Sequence, residues 1–387
     1  MPTTIRTAEP RELLSLVPYQ LGFRPTDSAV LVSLRGDRGR VGLVARVDLP
    51  DLVDPATGPG IARSLVTHLV DDGADRAVLV LYPRGPRADA AAEVRAARAH
   101  VLAAAAPRLQ GVECWVVGPT GYYAAGCADA ACCPAEGRPL ADLQSTEVGL
   151  HMVLAGAAVL ASRAEVAQIP LAPAAARRSA RRAAARWSRH AADAVDPAEL
   201  VAWRREGMDL WRAELARAAG ALAPAVRGGT AAGAGGSRGA PGPRLTTVVA
   251  GRLQAVLADV RCRDGVLLSL VPDGGPVADG VLAGHDEGVG AALDAIVDPV
   301  AGVPPDPALL AGAVALLEQV AAHCPRRALA PPLTLLGVLA WWQGEGARAA
   351  VLLERVLEVE PSYRLAALLG EALAAGMPPG WLRPARG

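Results

Sequence analysis

The chain has no lysine and no asparagine, its single phenylalanine is Phe23, and all 39 of its basic residues are arginine. Lysine, asparagine and phenylalanine use AT-rich codons, so the pattern reports a GC-rich genome and the arginine excess is largely mutational bias. The formal net charge of +0 further weakens any nucleic-acid reading, because binding to phosphate needs a local or global positive excess. Met1 to Glu9 lack the apolar core of a secretory signal. The longest apolar helical run, Val148 to Ala161, is short, alanine-rich and interrupted by His151, so no membrane span is expected. The six cysteines show no disulfide-framework spacing for a chain of this length, which points to a reducing, cytoplasmic setting. There is no His-Glu-x-x-His pair and no Rossmann glycine fingerprint. These absences lean against an enzyme, and no cofactor is expected.

What is present concentrates first in Leu13 to Pro50. Pro10 suits a first helical position, and Pro18 is expected to stop the helix. Tyr19 to Ser28 then reads as a loop, in which Gly22 takes a backbone angle that other residues avoid and Asp27 and Ser28 bond back to nearby N–H groups. Ala29 to Leu34 and Val41 to Val47 are valine-rich runs on either side of a polar turn with two glycines, a β-hairpin pattern. Alternation along the second run puts Arg46 and Asp48 on one face near the strand end. If the loop folds over that end, Arg24, Asp27, Arg46 and Asp48 form a charged cluster with Tyr19, Phe23 and Ser28 beside it, the candidate ligand-binding set.

The segments PYQLGFRPTDSAVLVSL and VGLVARVDLP resemble the opening signature of the actinobacterial domain of unknown function family 4192. The resemblance continues at Cys132 to Leu140 (CCPAEGRPL), at Val260-Arg261-Cys262-Arg263-Asp264 and at Leu335 to Ala349, and so covers nearly the whole chain. It implies no activity, substrate or catalytic residue. The Gly/Ala/Pro-rich segment near residue 230 looks like an insertion relative to the family pattern.

After the hairpin, helical runs alternate with apolar strands at 77–82, 112–117 and 122–125. This predicts an α/β domain over 1–168, a mixed sheet with packed helices. From Pro197 onward strands nearly vanish. A helical extension is expected over 169–225, a flexible linker over 226–243 and a helical domain over 244–387. Leu333, Leu336, Gly337, Ala349, Leu353 and Pro361 fall on positions matching a tetratricopeptide-like helical hairpin. The linker's glycines have no Gly-Lys-Ser/Thr after them and no strand before them, so they do not form a phosphate loop.

Three further groups bear on chemistry. Cys127, Cys132 and Cys133 are the only cysteine cluster, but their spacing is not a pair of CxxC elements, so no metal is assigned and they stand as weak candidates. Arg178, Arg182, Arg186 and Arg189 repeat at helical spacing and line one face. That face would suit nucleic-acid phosphates or an acidic partner, although pairing with Asp193, Asp196 and Glu199 is the commoner outcome. Trp341-Trp342 would anchor an interface or, more simply, pack in the core. The preferred reading is a non-catalytic binding or scaffold module with a protein partner. A ligand-binding or enzymatic site at the Tyr19–Ser28 loop near Arg46 and Asp48 is the first alternative, and nucleic-acid association through the arginine face the second.

Overall fold

The computed structural model describes residues 9–37, 39–155, 157–227 and 243–382, and the linker expected at 226–243 lies almost wholly outside them. The chain divides into two compact units between Val166 and Ala167. The first is α/β and the second is helical, which is the fold class that the sequence predicts.

The first unit opens with α1 (Pro10–Leu21), β1 (Ser28–Arg35) and β2 (Arg40–Asp48). Pro18 does not end α1, contrary to expectation; the helix runs to Leu21 and stops at Gly22, whose φ of 77° is left-handed. An internal proline costs about 3 kcal/mol. Leu13, Leu14, Val17 and Leu21 are all buried at helical spacing across it. Burying Leu21 and the glycine cap together outweigh the local penalty. There follow α2 (Leu49–Val53), α3 (Gly58–Asp71), β3 (Arg76–Tyr82), α4 (Ala91–Ala105), β4 (Val112–Val117), β5 (Tyr122–Ala124), α5 (Glu147–Leu154) and α6 (Arg163–Val166).

The sheet order is β2-β1-β3-β4-β5. β1 is antiparallel to β2 and β3, β4 is parallel to β3, and β5 is antiparallel to β4. The parallel pair requires a crossover, which α4 supplies. Ala29, Leu31, Leu79, Leu81 and Val116 join the core built with α2, α3 and α4. By alternation Val30, Val32, Val78, Val80 and Trp115 point to the opposite face, and these are buried too. A sheet covered on both faces explains why its strands read as near-continuous apolar runs.

α1 packs on α5. The buried Glu12 carboxylate accepts the Val148 N–H at 2.9 Å. Thr146 caps α5 by accepting the Gly149 N–H at 3.0 Å and donates to Ser15 Oγ at 2.8 Å. α5 ends at Leu154, short of the end of the apolar run at Ala161. Leu160 instead makes a parallel bridge with Phe23, so this stretch is used for pairing rather than for a longer helix.

The second unit contains α7 (Ala174–Asp193), α8 (Pro197–Arg227), α9 (Thr247–Ala258), α10 (Val260–Leu268), α11 (Gly275–Ala283), α12 (Val289–Val297), α13 (Pro307–His323), α14 (Ala330–Trp342), α15 (Gly346–Val359) and α16 (Arg364–Ala374). The segment expected as an extension packs into this unit, α7 on α9 and α8 on α13. Gly251 of α9 makes the first contact feasible, since a Cβ there would stand 2.1 Å from the Ala180 carbonyl oxygen. α14 and α15 form the expected hairpin, with Gly337 against Leu353.

Trp341 and Trp342 are both buried, and their indole N–H groups donate to Met377 O at 2.8 Å and Val303 O at 3.0 Å. They are core residues, not the walls of a groove. α10 starts at Val260 because Asp259 caps it by accepting the Cys262 N–H at 3.0 Å.

Candidate functional site

At the end of the hairpin, Arg46 on β2 donates to Ser28 Oγ through Nε at 3.0 Å and Nη2 at 2.9 Å, and Nη2 also reaches Asp48 Oδ1 at 2.6 Å. Ser28 Oγ donates in turn to Thr26 O at 2.7 Å. Ser28, Arg46 and Asp48 therefore do come together. Asp27 sits at φ 52°, a left-handed angle that aspartate tolerates better than most residues, and pairs with Arg84 at 3.1 Å. The other candidates are placed elsewhere. Phe23 is buried and bridges to Leu160, Tyr19 lies half-buried on α1, and Arg24 is exposed. Arg84 was not foreseen, because it lies 57 residues beyond Asp27 in a loop after β3 and has no local signal.

On α7, Ala180, Ala183, Ala184 and Trp187 are buried. This fixes the opposite face toward solvent, where Arg178, Arg182, Arg186 and Arg189 are all exposed, with Arg181 beside them. At 1.5 Å rise per residue the row runs about 16 Å. The expected pairing with Asp193, Asp196 and Glu199 is not seen among the described residues. Asp196 and Glu199 instead accept backbone N–H groups of Ala198 at 2.8 Å and Val195 at 3.0 Å, at the start of α8. α7 carries six arginines against the single Asp193. Trp187 offers nothing to an incoming base, since it lies under Arg252 at 3.9 Å and stacks on Trp203 at 5.8 Å.

The loop after β5 gathers the three cysteines. The Cys127, Cys132 and Cys133 sulfurs lie within 4.8 Å of one another, Cys127 and Cys132 half-buried and Cys133 buried. The turn that does this is local: Asp129 accepts the Ala131 N–H on Oδ1 at 2.8 Å and the Cys133 N–H on its carbonyl at 2.7 Å. Two donors point at the sulfurs. Arg138 Nη2 donates to Cys132 Sγ at 3.0 Å, and the Ala124 N–H donates to Cys133 Sγ at 3.4 Å. The Arg138 hydrogen bond holds the Cys132 thiol below its ordinary range, whereas burial raises that of Cys133. Arg138 also donates from Nε to Cys132 O at 2.7 Å and lies 5.8 Å over the Trp115 ring. Cys114 is a contrast: it is buried in the core, and its thiol is pushed up to about 12. Sequence reasoning singled out the cysteines but not Arg138, although it stands in the same CCPAEGRPL segment.

A cleft of about 540 Å³ in the second unit is lined by Arg204, Asp259, Arg261, Asp264 and Asp286. Its guanidiniums are engaged, Arg204 with Asp259 at 2.9 Å and Arg261 with Asp286 at 3.2 Å. The Val260–Asp264 segment is the start of α10, and Arg263 ties it down by donating to Tyr363 Oη at 2.9 Å.

Among the described residues no helix is long and apolar enough to cross a membrane. No curated protein and no solved structure matches the chain. Residues 10–380, nearly the whole chain, match the family described as Domain of unknown function (DUF4192), and the protein belongs to that family.

Proposed function

We propose that the protein is a non-catalytic binding module of a reducing, cytoplasmic setting, and that the arginine face of α7 is its contact surface for an acidic segment of a partner protein. The observation that carries this reading is the row of exposed guanidiniums at 178, 182, 186 and 189 without ion-pair partners among the described residues, on a helix anchored by its buried alanine face. Four-residue steps along a helix match carboxylates repeated at the same interval on a second helix. A protein partner is favoured over nucleic acid for two reasons. The chain as a whole is neutral, and the one aromatic of the helix is buried beneath the face and unavailable for base stacking. The rival loop site carries less, because Arg46 already engages Ser28 and Asp48.

The test is fluorescence anisotropy of the full chain with a labelled glutamate-rich helical peptide and a DNA duplex of matched charge, at low and physiological salt. The peptide is expected to bind and to weaken with salt. Replacing all four arginines by glutamine is expected to cost about 2 kcal/mol, a loss near 30-fold, at about 0.5 kcal/mol for each exposed pair. Absence of peptide binding, or binding indifferent to the substitutions, refutes the reading. Preference for the duplex would reassign the surface to nucleic acid.

A further inference from the structure

The loop cysteines point to a site that the sequence spacing argued against. We infer that Cys127, Cys132 and Cys133 form a three-thiolate site for a soft metal cation, with Zn²⁺ as the fitting ion and a fourth coordination position left for water or another ligand.

Three observations support this. The sulfurs already lie within 4.8 Å of one another, and the Cys132 and Cys133 sulfurs are 3.9 Å apart. Two sulfurs each about 2.3 Å from one tetrahedral zinc stand roughly 3.8 Å apart, so closing the site needs movements of at most about 1 Å. The sulfurs also meet donors suited to thiolates. A guanidinium N–H reaches Cys132 Sγ and a backbone N–H reaches Cys133 Sγ. Such outer contacts orient ligands and stabilise their charge in metal sites. Finally, three thiolates around a divalent cation leave one net negative charge, which Arg138 is placed to balance. Its guanidinium is held in place by Cys132 O and by the rings of Trp115 and Tyr122 at 5.8 and 5.9 Å.

The supporting scaffold is rigid at close range. Gly137 has φ 82°, and a Cβ on Gly121 would lie 2.5 Å from the Glu136 carbonyl oxygen, so β5 and the strand-like return at Arg138 are pressed together. Arg87 ties the far side of the loop, donating to Pro134 O at 2.7 Å. On binding, each thiol releases its proton to solvent and its sulfur donates an electron pair to the cation, so no oxidant or reductant is involved. Binding therefore strengthens as pH rises through the thiol range.

The test uses the reduced, metal-free full chain titrated with Co²⁺ as a spectroscopic stand-in, followed by displacement with Zn²⁺. One equivalent of Co²⁺ is expected to produce thiolate-to-cobalt charge-transfer absorption that Zn²⁺ abolishes. Cys127→Ser and Cys132→Ser should lose the band, and Cys114→Ser, outside the cluster, should keep it. Arg138→Gln is expected to weaken Zn²⁺ by about 10- to 100-fold. A second reading on the wild type avoids dependence on folding of the variants. Zn²⁺ should protect Cys127 and Cys132 from iodoacetamide, mapped by mass spectrometry. No charge-transfer band in the reduced protein, a band that survives Cys127→Ser, or alkylation indifferent to Zn²⁺ overturns the assignment. So does air oxidation of the reduced protein to a Cys127–Cys132 disulfide that runs equally fast with and without Zn²⁺.

Discussion

Gly251→Ala tests the packing that holds the arginine face rigid. In an exposed helix, alanine is more stable than glycine by about 0.5–1 kcal/mol, because glycine loses more backbone freedom on folding. Gly220 on α8 is such a position: it is exposed, and a Cβ there would meet no atom within 4 Å. Gly251 is the opposite case. Its Cβ would stand 2.1 Å from Ala180 O and 2.8 Å from Ala183 Cβ, against backbone and methyl groups that no rotamer change can move. Ordinary contact is about 3.5 Å, so α7 and α9 would have to part by roughly 1.4 Å along an interface of buried alanines.

Overpacking of this kind costs about 1–3 kcal/mol, with backbone contacts at the upper end. Gly251→Ala is thus expected to destabilise by about 2 kcal/mol net, and Gly220→Ala to stabilise by about 0.5–1 kcal/mol. Guanidinium denaturation followed by tryptophan fluorescence reads both, since every tryptophan except Trp115 lies in this unit. If Gly251→Ala gains stability as Gly220→Ala does, the close α7–α9 contact is wrong. The orientation of the arginine face, which depends on it, then falls as well.

Tyr82→Phe is expected to leave stability unchanged or to raise it by up to about 1 kcal/mol, because the buried hydroxyl has no hydrogen-bond partner among the described residues; a loss of stability in chemical denaturation would mean it has one. Glu12→Ala removes the acceptor for the Val148 N–H at the start of α5 and is expected to cost about 1–2 kcal/mol, with faster hydrogen exchange at Val148; unchanged exchange there would refute the capping role. In reduced, metal-free protein, Cys132 is expected to alkylate with a pH midpoint below that of an ordinary thiol, because the Arg138 hydrogen bond favours its thiolate. Arg138→Gln should move that midpoint up. Cys114, pushed up to about 12 by burial, should remain unlabelled near neutral pH, and equal rates at Cys114 and Cys132 would contradict both assignments.

Much of the secondary structure was legible because its signals are local. The hairpin needed only two valine-rich runs and a glycine turn, and β3, α4 and β4 needed only apolar runs separated by an alanine-rich helical stretch. Where reading failed, a distant partner decided the outcome. α1 passes Pro18 because Leu21 is buried. The apolar helical run at 148–161 is cut short where Leu160 pairs with Phe23. α11 and α12 went unforeseen because they are short and lie in a glycine-rich stretch with weak periodicity. The loop cluster was half right: strand alternation correctly put Arg46 beside Asp48, but nothing local says that Asp27 meets Arg84.

By itself, the order of residues determined the fold class, the hairpin, the C-terminal helix pair and the spacing of the α7 arginines, since all of these follow from short-range periodicity and turn chemistry. Tertiary structure alone decided which groups are partnered. It left the α7 guanidiniums exposed by burying the alanines behind them, and it placed Trp341 and Trp342 in the core with their N–H groups satisfied. It also gathered three sulfurs whose sequence spacing fits no standard ligand pattern, under an arginine held by two aromatic rings. Partnership depends on distances between atoms far apart along the chain, and these exist only once the chain has packed.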